Sequence, residues 1–509
     1  MYKLGILDYS TILIYLAGII IAGIYFSKKQ TTLSEYFHAS GNIPWWAVSI
    51  SNFSTGVSPI SYLAAAGWIF VKDSRLSIVP SLIGLLFVPL TVLIWLPLWS
   101  RLRVFSIYEY LEIRFRPWVR SLGAVLYLIT TVIWVGTGLT TVALGFEHVI
   151  GIDARWFIFL IAVAGTTYTV IGGMRAVIWT DVIQFIVFLI GYAAIIFGLL
   201  SVFEWQPLEI YQIASETVSL ETGYPHTKLI SFELDLNIEA TLWALLFSKF
   251  FFALTNGTTQ WEIQRLHSTG SRINMLKSMV WGKVIVLGFS LLWVPIAWGF
   301  VAFYAEFPEL KATILHPDQV MPDFVARQLP GMFRSLVFAG ILAALMSTLD
   351  SGINSMGSVT TNDFIRRFYY ANKSVTETHL VFISKVMTIF FSIIILVFCL
   401  WQLETQAETA FEKAGKLSNV FLPPITSFFL LGVISKRTNT GGAIIGGIMG
   451  ITFAILFNGI PGLIEPTMHG VNWMWIAALA TAINVGIGYV ASFIFSPPSE
   501  EVFNKIYQS

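Results

Sequence analysis

The 509-residue chain is 56% hydrophobic and only 12% charged, about half the ~25% charged share of soluble domains. That composition excludes a soluble enzyme or an ordinary globular binding module, and a formal net charge of +1 offers no basic footprint for nucleic acid. A single cysteine, Cys399, excludes a disulfide framework and a thiolate metal cluster.

A helix of about 20 apolar residues crosses a bilayer, and the chain read in order predicts thirteen such spans. They cover 7–26, 44–70, 76–98, 121–150, 155–172, 174–202, 239–258, 276–304, 331–360, 378–402, 412–433, 441–458 and 471–495. The first has only Lys3 before it and no small-residue cleavage site ahead of Lys28-Lys29, so it reads as a retained helix. One set of connections is rich in basic residues, among them Lys28, Lys29, Arg101, Arg103, Arg114, Arg116, Arg120, Arg366, Arg367, Lys436 and Arg437. The other set carries fewer, such as Lys72, Arg75, Arg155 and Lys228. Lys and Arg near helix ends resist translocation, which places the N-terminus outside and the C-terminus inside. The acidic 203–238 loop fits the external face.

Two spans are interrupted. In 44–70, Asn52-Phe53-Ser54-Thr55-Gly56-Val57-Ser58-Pro59-Ile60-Ser61 puts polar, glycine and proline residues near mid-membrane, and Pro59 disfavours helix at Ser58. In 239–258 the break is Thr255-Asn256-Gly257-Thr258-Thr259. Backbone freed within hydrocarbon must be satisfied elsewhere, so such breaks line cavities or ion sites. Each interrupted span opens a group of five, and an odd number of crossings inverts the second group against the first. Paired breaks in oppositely oriented halves mark an inverted-repeat transporter. Glycine and proline are also common in ordinary transmembrane helices; the pairing is what favours the transporter.

Ionisable groups inside spans point to function. Asp181 lies a few residues into 174–202 from the cytoplasmic side, either capping or serving an ion path. In 331–360, at about 100° per residue, Ser347, Ser351, Asn354 and Ser355 share a stripe, with Ala344 a turn above and Asp350 beside it. Small and hydroxyl residues also mediate plain helix packing, but this density beside an aspartate suits hard oxygen ligands for a cation. Lys249, Lys283, Lys385, Glu412, Lys413 and Lys416 also fall within or at the edges of spans. No phosphate loop and no nucleophile–base signature support an enzyme.

These segments resemble the solute:sodium symporter family of sodium/glucose, sodium/proline and sodium/sialic-acid cotransporters. The likeness runs from Pro44-Trp45-Trp46-Ala47 through Gly172-Gly173-Met174-Arg175-Ala176-Val177-Ile178-Trp179-Thr180-Asp181-Val182-Ile183-Gln184, Gln264-Arg265 and Met346-Ser347-Thr348-Leu349-Asp350-Ser351 to Pro423-Pro424 and Gly432–Arg437. It implies an all-α polytopic fold of the leucine-transporter type. Within one transporter domain, 44–202 and 239–433 are the inverted five-helix repeats, with 7–26 and two helices in 441–495 peripheral. It implies a sodium site built from the carbonyls of Ser54, Val57 and Ala344 and the hydroxyls of Ser347 and Thr348. Asp181 matches the family's acidic position at the cytoplasmic ion exit, which in some members belongs to a second sodium site. The chain departs from sugar-transporting relatives, which carry a polar pair where it has Ile60 and Ser61 and a tyrosine where it has Thr255. It departs from sialic-acid relatives where Trp134 replaces an arginine.

The expectation is a multi-pass plasma (inner) membrane protein that couples inward Na⁺ flow to uptake of a small polar organic solute by alternating access. Ser58, Ser61, Asn256 and Gln260 would meet that solute. Hydroxyls and amides beside aromatic rings favour a sugar or polyol over an organic anion. The rivals are a proton-coupled symporter using Asp181 or Asp350, and a channel or sensor that keeps the fold.

Overall fold

The computed structural model describes residues 5–27, 30–56, 65–102, 104–404, 410–461, 463–499 and 502. The chain starts with α1 (Ile6–Phe26) and continues through α2 (Trp45–Gly56) and α3 (Ala65–Val71), which flank the undescribed residues 57–64. Next come α4 (Val79–Leu86), α5 (Val88–Arg101), α6 (Pro117–Ile150) and α7 (Ala154–Val202). A second series follows: α8 (Leu242–Thr255), α9 (Gln260–His267), α10 (Arg272–Glu306), α11 (Gly331–Val359), α12 (Glu377–Gln402) and α13 (Ala410–Ile434). α14 (Thr440–Asn458) and α15 (Trp473–Ala491) complete the set.

Among the described residues nine helices are long and apolar enough to cross a membrane unaided, and a bent pair makes a tenth. The other predicted crossings fall on helices that are bent, short or kinked, or on 44–70, of which residues 57–64 are not described. Span 76–98 bends by 52° between α4 and α5, because Pro89 cannot donate to Leu85 and crowds the residue before it. Span 239–258 is α8, only 14 residues long, and its path across resumes in α9. α7 runs for 49 residues; at about 1.5 Å per residue that is more than twice a hydrocarbon core of ~30 Å. It kinks at Gly173, whose φ of 58° and ψ of −168° suit glycine almost alone. A Cβ there would also stand 2.8 Å from Gln30 Oε1, while Gln30 Nε2 donates to the Gly172 carbonyl at 2.6 Å. The boundary between the predicted spans 155–172 and 174–202 coincides with this kink.

α11 lies at the centre, with every residue from Val337 to Val359 buried. Its most extensive interface is with α7, where Gly165 lets Leu349 approach the backbone closely. α1 packs outside α7 and α11, and buried Asp8 ties it to Arg334 and Ser335 at the head of α11. α14 and α15 form a peripheral hairpin against α13. α2 and α9, the helices beside the two breaks, both pack on α11. That arrangement sets up the site.

Candidate functional site

α2 delivers its last turn to the middle of α11. Ser347 Oγ lies 3.0 Å from the Ser54 carbonyl and 3.1 Å from the Ala344 carbonyl. Thr348 Oγ1 lies 3.1 Å from the same Ala344 carbonyl and 3.5 Å from that of Thr55. Four of the five expected sodium ligands, Ser54, Ala344, Ser347 and Thr348, are therefore neighbours, all buried. Val57 lies outside the described residues. A set of neutral hydroxyl and carbonyl oxygens fits a hard monovalent cation.

A charged cluster adjoins this oxygen set. Arg265, Asp181 and Asp350 are each fully buried. Arg265 Nη2 pairs with Asp181 Oδ2 at 3.2 Å, donates to Thr55 Oγ1 at 2.8 Å and also bonds Ser351 Oγ. Its Nε donates to Ser51 Oγ at 2.6 Å, and Ser51 in turn donates to Asp181. Asp350 accepts from Tyr168 Oη at 2.8 Å and from Ser351 Oγ at 2.9 Å. Asp181 Oδ1 is buried without a hydrogen-bond partner. Asp181 thus pairs directly with the guanidinium, and Asp350 reaches it through Ser351, next to oxygens arranged for a cation. The sequence marks Arg265 only as part of a motif; its pairing with Asp181, 84 residues away, has no local signal.

The expected solute residues divide. Ser58 and Ser61 lie outside the described residues. Gln260 is buried, accepting from the Ile107 amide at 2.9 Å and donating to the Phe105 carbonyl at 2.8 Å. Both ends of its amide are engaged, so Gln260 fastens the start of α9 to the 105–107 segment rather than facing solute. Asn256 lies in the break between α8 and α9; with its amide turned so that the nitrogen faces the carboxylate, it donates to both oxygens of Glu262 at 3.0 and 3.2 Å and accepts from Lys283 Nζ at 2.8 Å. Trp99 Nε1 donates to the adjacent Gly257 carbonyl at 2.8 Å and holds the break open.

Comparison with known proteins bears on this arrangement. The model of the sodium:solute symporter family matches residues 36–450. The sodium/sialic acid symporter NanT of Aliivibrio fischeri is 25% identical over 494 residues, covering 96% of this chain and 94% of that protein. Human sodium-coupled monocarboxylate transporter 1 is 27% identical over 390 residues, covering 74% of this chain and 60% of that protein. A solved structure of a Na⁺-coupled sialic acid symporter in a substrate-bound, outward-open state superposes with a TM-score of 0.82 at 23% identity, over 97% of this chain and 99% of that one. The superposition carries the leucine-transporter-type fold that the family resemblance implies.

Proposed function

Because the chain belongs to the sodium:solute symporter family, we propose that it couples Na⁺ entry to uptake of a small organic carboxylate by alternating access. It is a multi-pass Na⁺-coupled symporter and not an enzyme. The observation that supports the ion site is the convergence of Ser54, Ala344, Ser347 and Thr348 oxygens beside the α2 break. In this reading those oxygens hold the ion and Asp181 guides it to the cytoplasm. The repeats 44–202 and 239–433 rock against each other around them.

The hydroxyls and amides of the sequence favour a sugar or polyol, but two considerations move the choice to an anion. Gln260 is committed to backbone, and the relatives are named for sialic acid, an acidic sugar, and for monocarboxylates. A polyhydroxylated carboxylate satisfies both sets of cues. Uptake into proteoliposomes tests this with N-acetylneuraminate, lactate, glucose and mannitol, each under an inward Na⁺ gradient and under a proton gradient alone. Sodium-driven uptake of either carboxylate is expected. Uptake of only glucose or mannitol would restore the neutral solute, and uptake driven by protons without Na⁺ would remove the sodium site.

A further inference from the structure

Lys249 and Phe252 stand at i and i+3 on one face of α8, and Asn256 follows at its C-terminal end. Lys283, from α10, meets this end: with the Asn256 amide turned so that its oxygen faces the ammonium, Lys283 Nζ donates to it at 2.8 Å. The two ammonium groups flank one ring, with Lys249 Nζ 5.3 Å and Lys283 Nζ 5.8 Å from the Phe252 centroid. The ring is 47% exposed. Glu262 is the carboxylate of the cluster, and its oxygens are engaged by Asn256 and by Thr259 Oγ1 at 3.2 Å. Among the described residues neither ammonium has a carboxylate within 4.0 Å. Two cations to one anion leave an excess positive charge deep in a span, beside a helix break. A lone cation is costly against hydrocarbon, so this excess charge calls for an anion from outside the chain.

We propose that Lys283 and Lys249 form the subsite for the carboxylate of the transported solute. Phe252 supplies the apolar floor, while Glu262, through Asn256, positions Lys283. The proposal rests on the carboxylate reading above and locates it. Glu262 lowers the charge that each empty cycle must carry, and the arriving carboxylate neutralises the remainder. Solute and cation thus reach the interior as a balanced set.

The test uses the full-length protein in proteoliposomes with N-acetylneuraminate and lactate, and the thermal shift given by Na⁺ alone as a check on folding. Lys283→Gln is expected to raise the half-saturating concentration of the transported carboxylate roughly 10- to 100-fold, the scale of a lost charge-assisted bond. Its Na⁺-induced thermal shift is expected to match wild type. Lys283→Arg should stay within a few-fold of wild type, and Lys249→Gln should weaken transport in the same direction. If Lys283→Gln does not fold, Lys249→Gln and Lys283→Arg carry the test. The methyl ester of the same acid should compete with uptake poorly in wild type and about as well as the acid in Lys283→Gln. Unaltered carboxylate half-saturation in both Gln variants would overturn the subsite and leave the carboxylate reading standing. Wild-type protein that carries glucose or mannitol but neither carboxylate would overturn both.

Discussion

Ser347 and Thr348 each contribute one oxygen to a group that a cation would share with the α2 carbonyls. Ser347→Ala and Thr348→Ala are each expected to raise half-saturating Na⁺, by about 1–3 kcal/mol if the loss resembles that of a buried hydrogen-bond partner. At ~1.4 kcal/mol per decade that is about 5- to 150-fold, read from uptake against Na⁺ concentration at fixed expression. Unchanged half-saturation in both would remove the pair from the site. Asp181 partners buried Arg265. Asp181→Asn is expected to slow turnover more than it weakens solute binding and to lower the melting temperature. Breaking a buried pair by removing one member costs about 3–5 kcal/mol. Arg265→Gln should lower melting similarly, and Asp181→Asn with Arg265→Gln should cost less than the two added together. Strict additivity would show that the two side chains act independently. The serine stripe is legible in the sequence because helical periodicity alone puts it on one face. The duties of Arg265 and Gln260 are not, because their partners lie on other helices.

Among the elements, α7 shows how far one residue can decide a path. Hydropathy predicts two spans with a boundary at Gly173, and the structure supplies the reason: a backbone angle closed to side chains, packed against Gln30 and Tyr36. Gly173→Ala combines backbone strain of about 1–3 kcal/mol with a Cβ 2.8 Å from Gln30 and 2.9 Å from Tyr36. The expected result is loss of monodisperse, folded protein on size-exclusion chromatography in detergent, whereas Gly18→Ala, where a Cβ meets nothing within 4 Å, should behave as wild type. Equal behaviour of the two variants would refute the strain argument. The break between α8 and α9 falls at Gly257, whose φ of 131° favours glycine and which the sequence displays directly.

Across the whole molecule, the face expected to be external is drawn together by one lysine. Lys72, just after α3, pairs with Glu239 ahead of α8 and with Glu412 in α13, and lies 3.9 Å from Glu221 of the long loop. Glu239 also accepts from Trp473 Nε1 at 3.3 Å. Burial opposes the charged form of Lys72, but Glu239 and Glu412 outweigh it and hold its pKa above the usual lysine value. Lys72→Gln leaves the two carboxylates facing each other without their shared cation. It is therefore expected to favour the conformation open to the outside. A cysteine introduced at Thr258, in a Cys399→Ala background, should then react faster with an impermeant maleimide added externally. A rate equal to that with Lys72 intact would show that the network does not hold the two halves closed.

Composition and hydropathy, read along the chain, determine that this is a polytopic helical protein. Glycine and proline mark where its helices break, and local strings of residues place it in its family. Those properties are local: each depends on a window no longer than one span. The charge partners belong to tertiary structure: Arg265 with Asp181, Lys72 with Glu239 and Glu412, Lys283 with Asn256. A helical period says which residues share a face, but not which face of another helix will meet it. In a low-dielectric interior it is that meeting which decides whether a buried charge is paired or left to seek an ion or a solute.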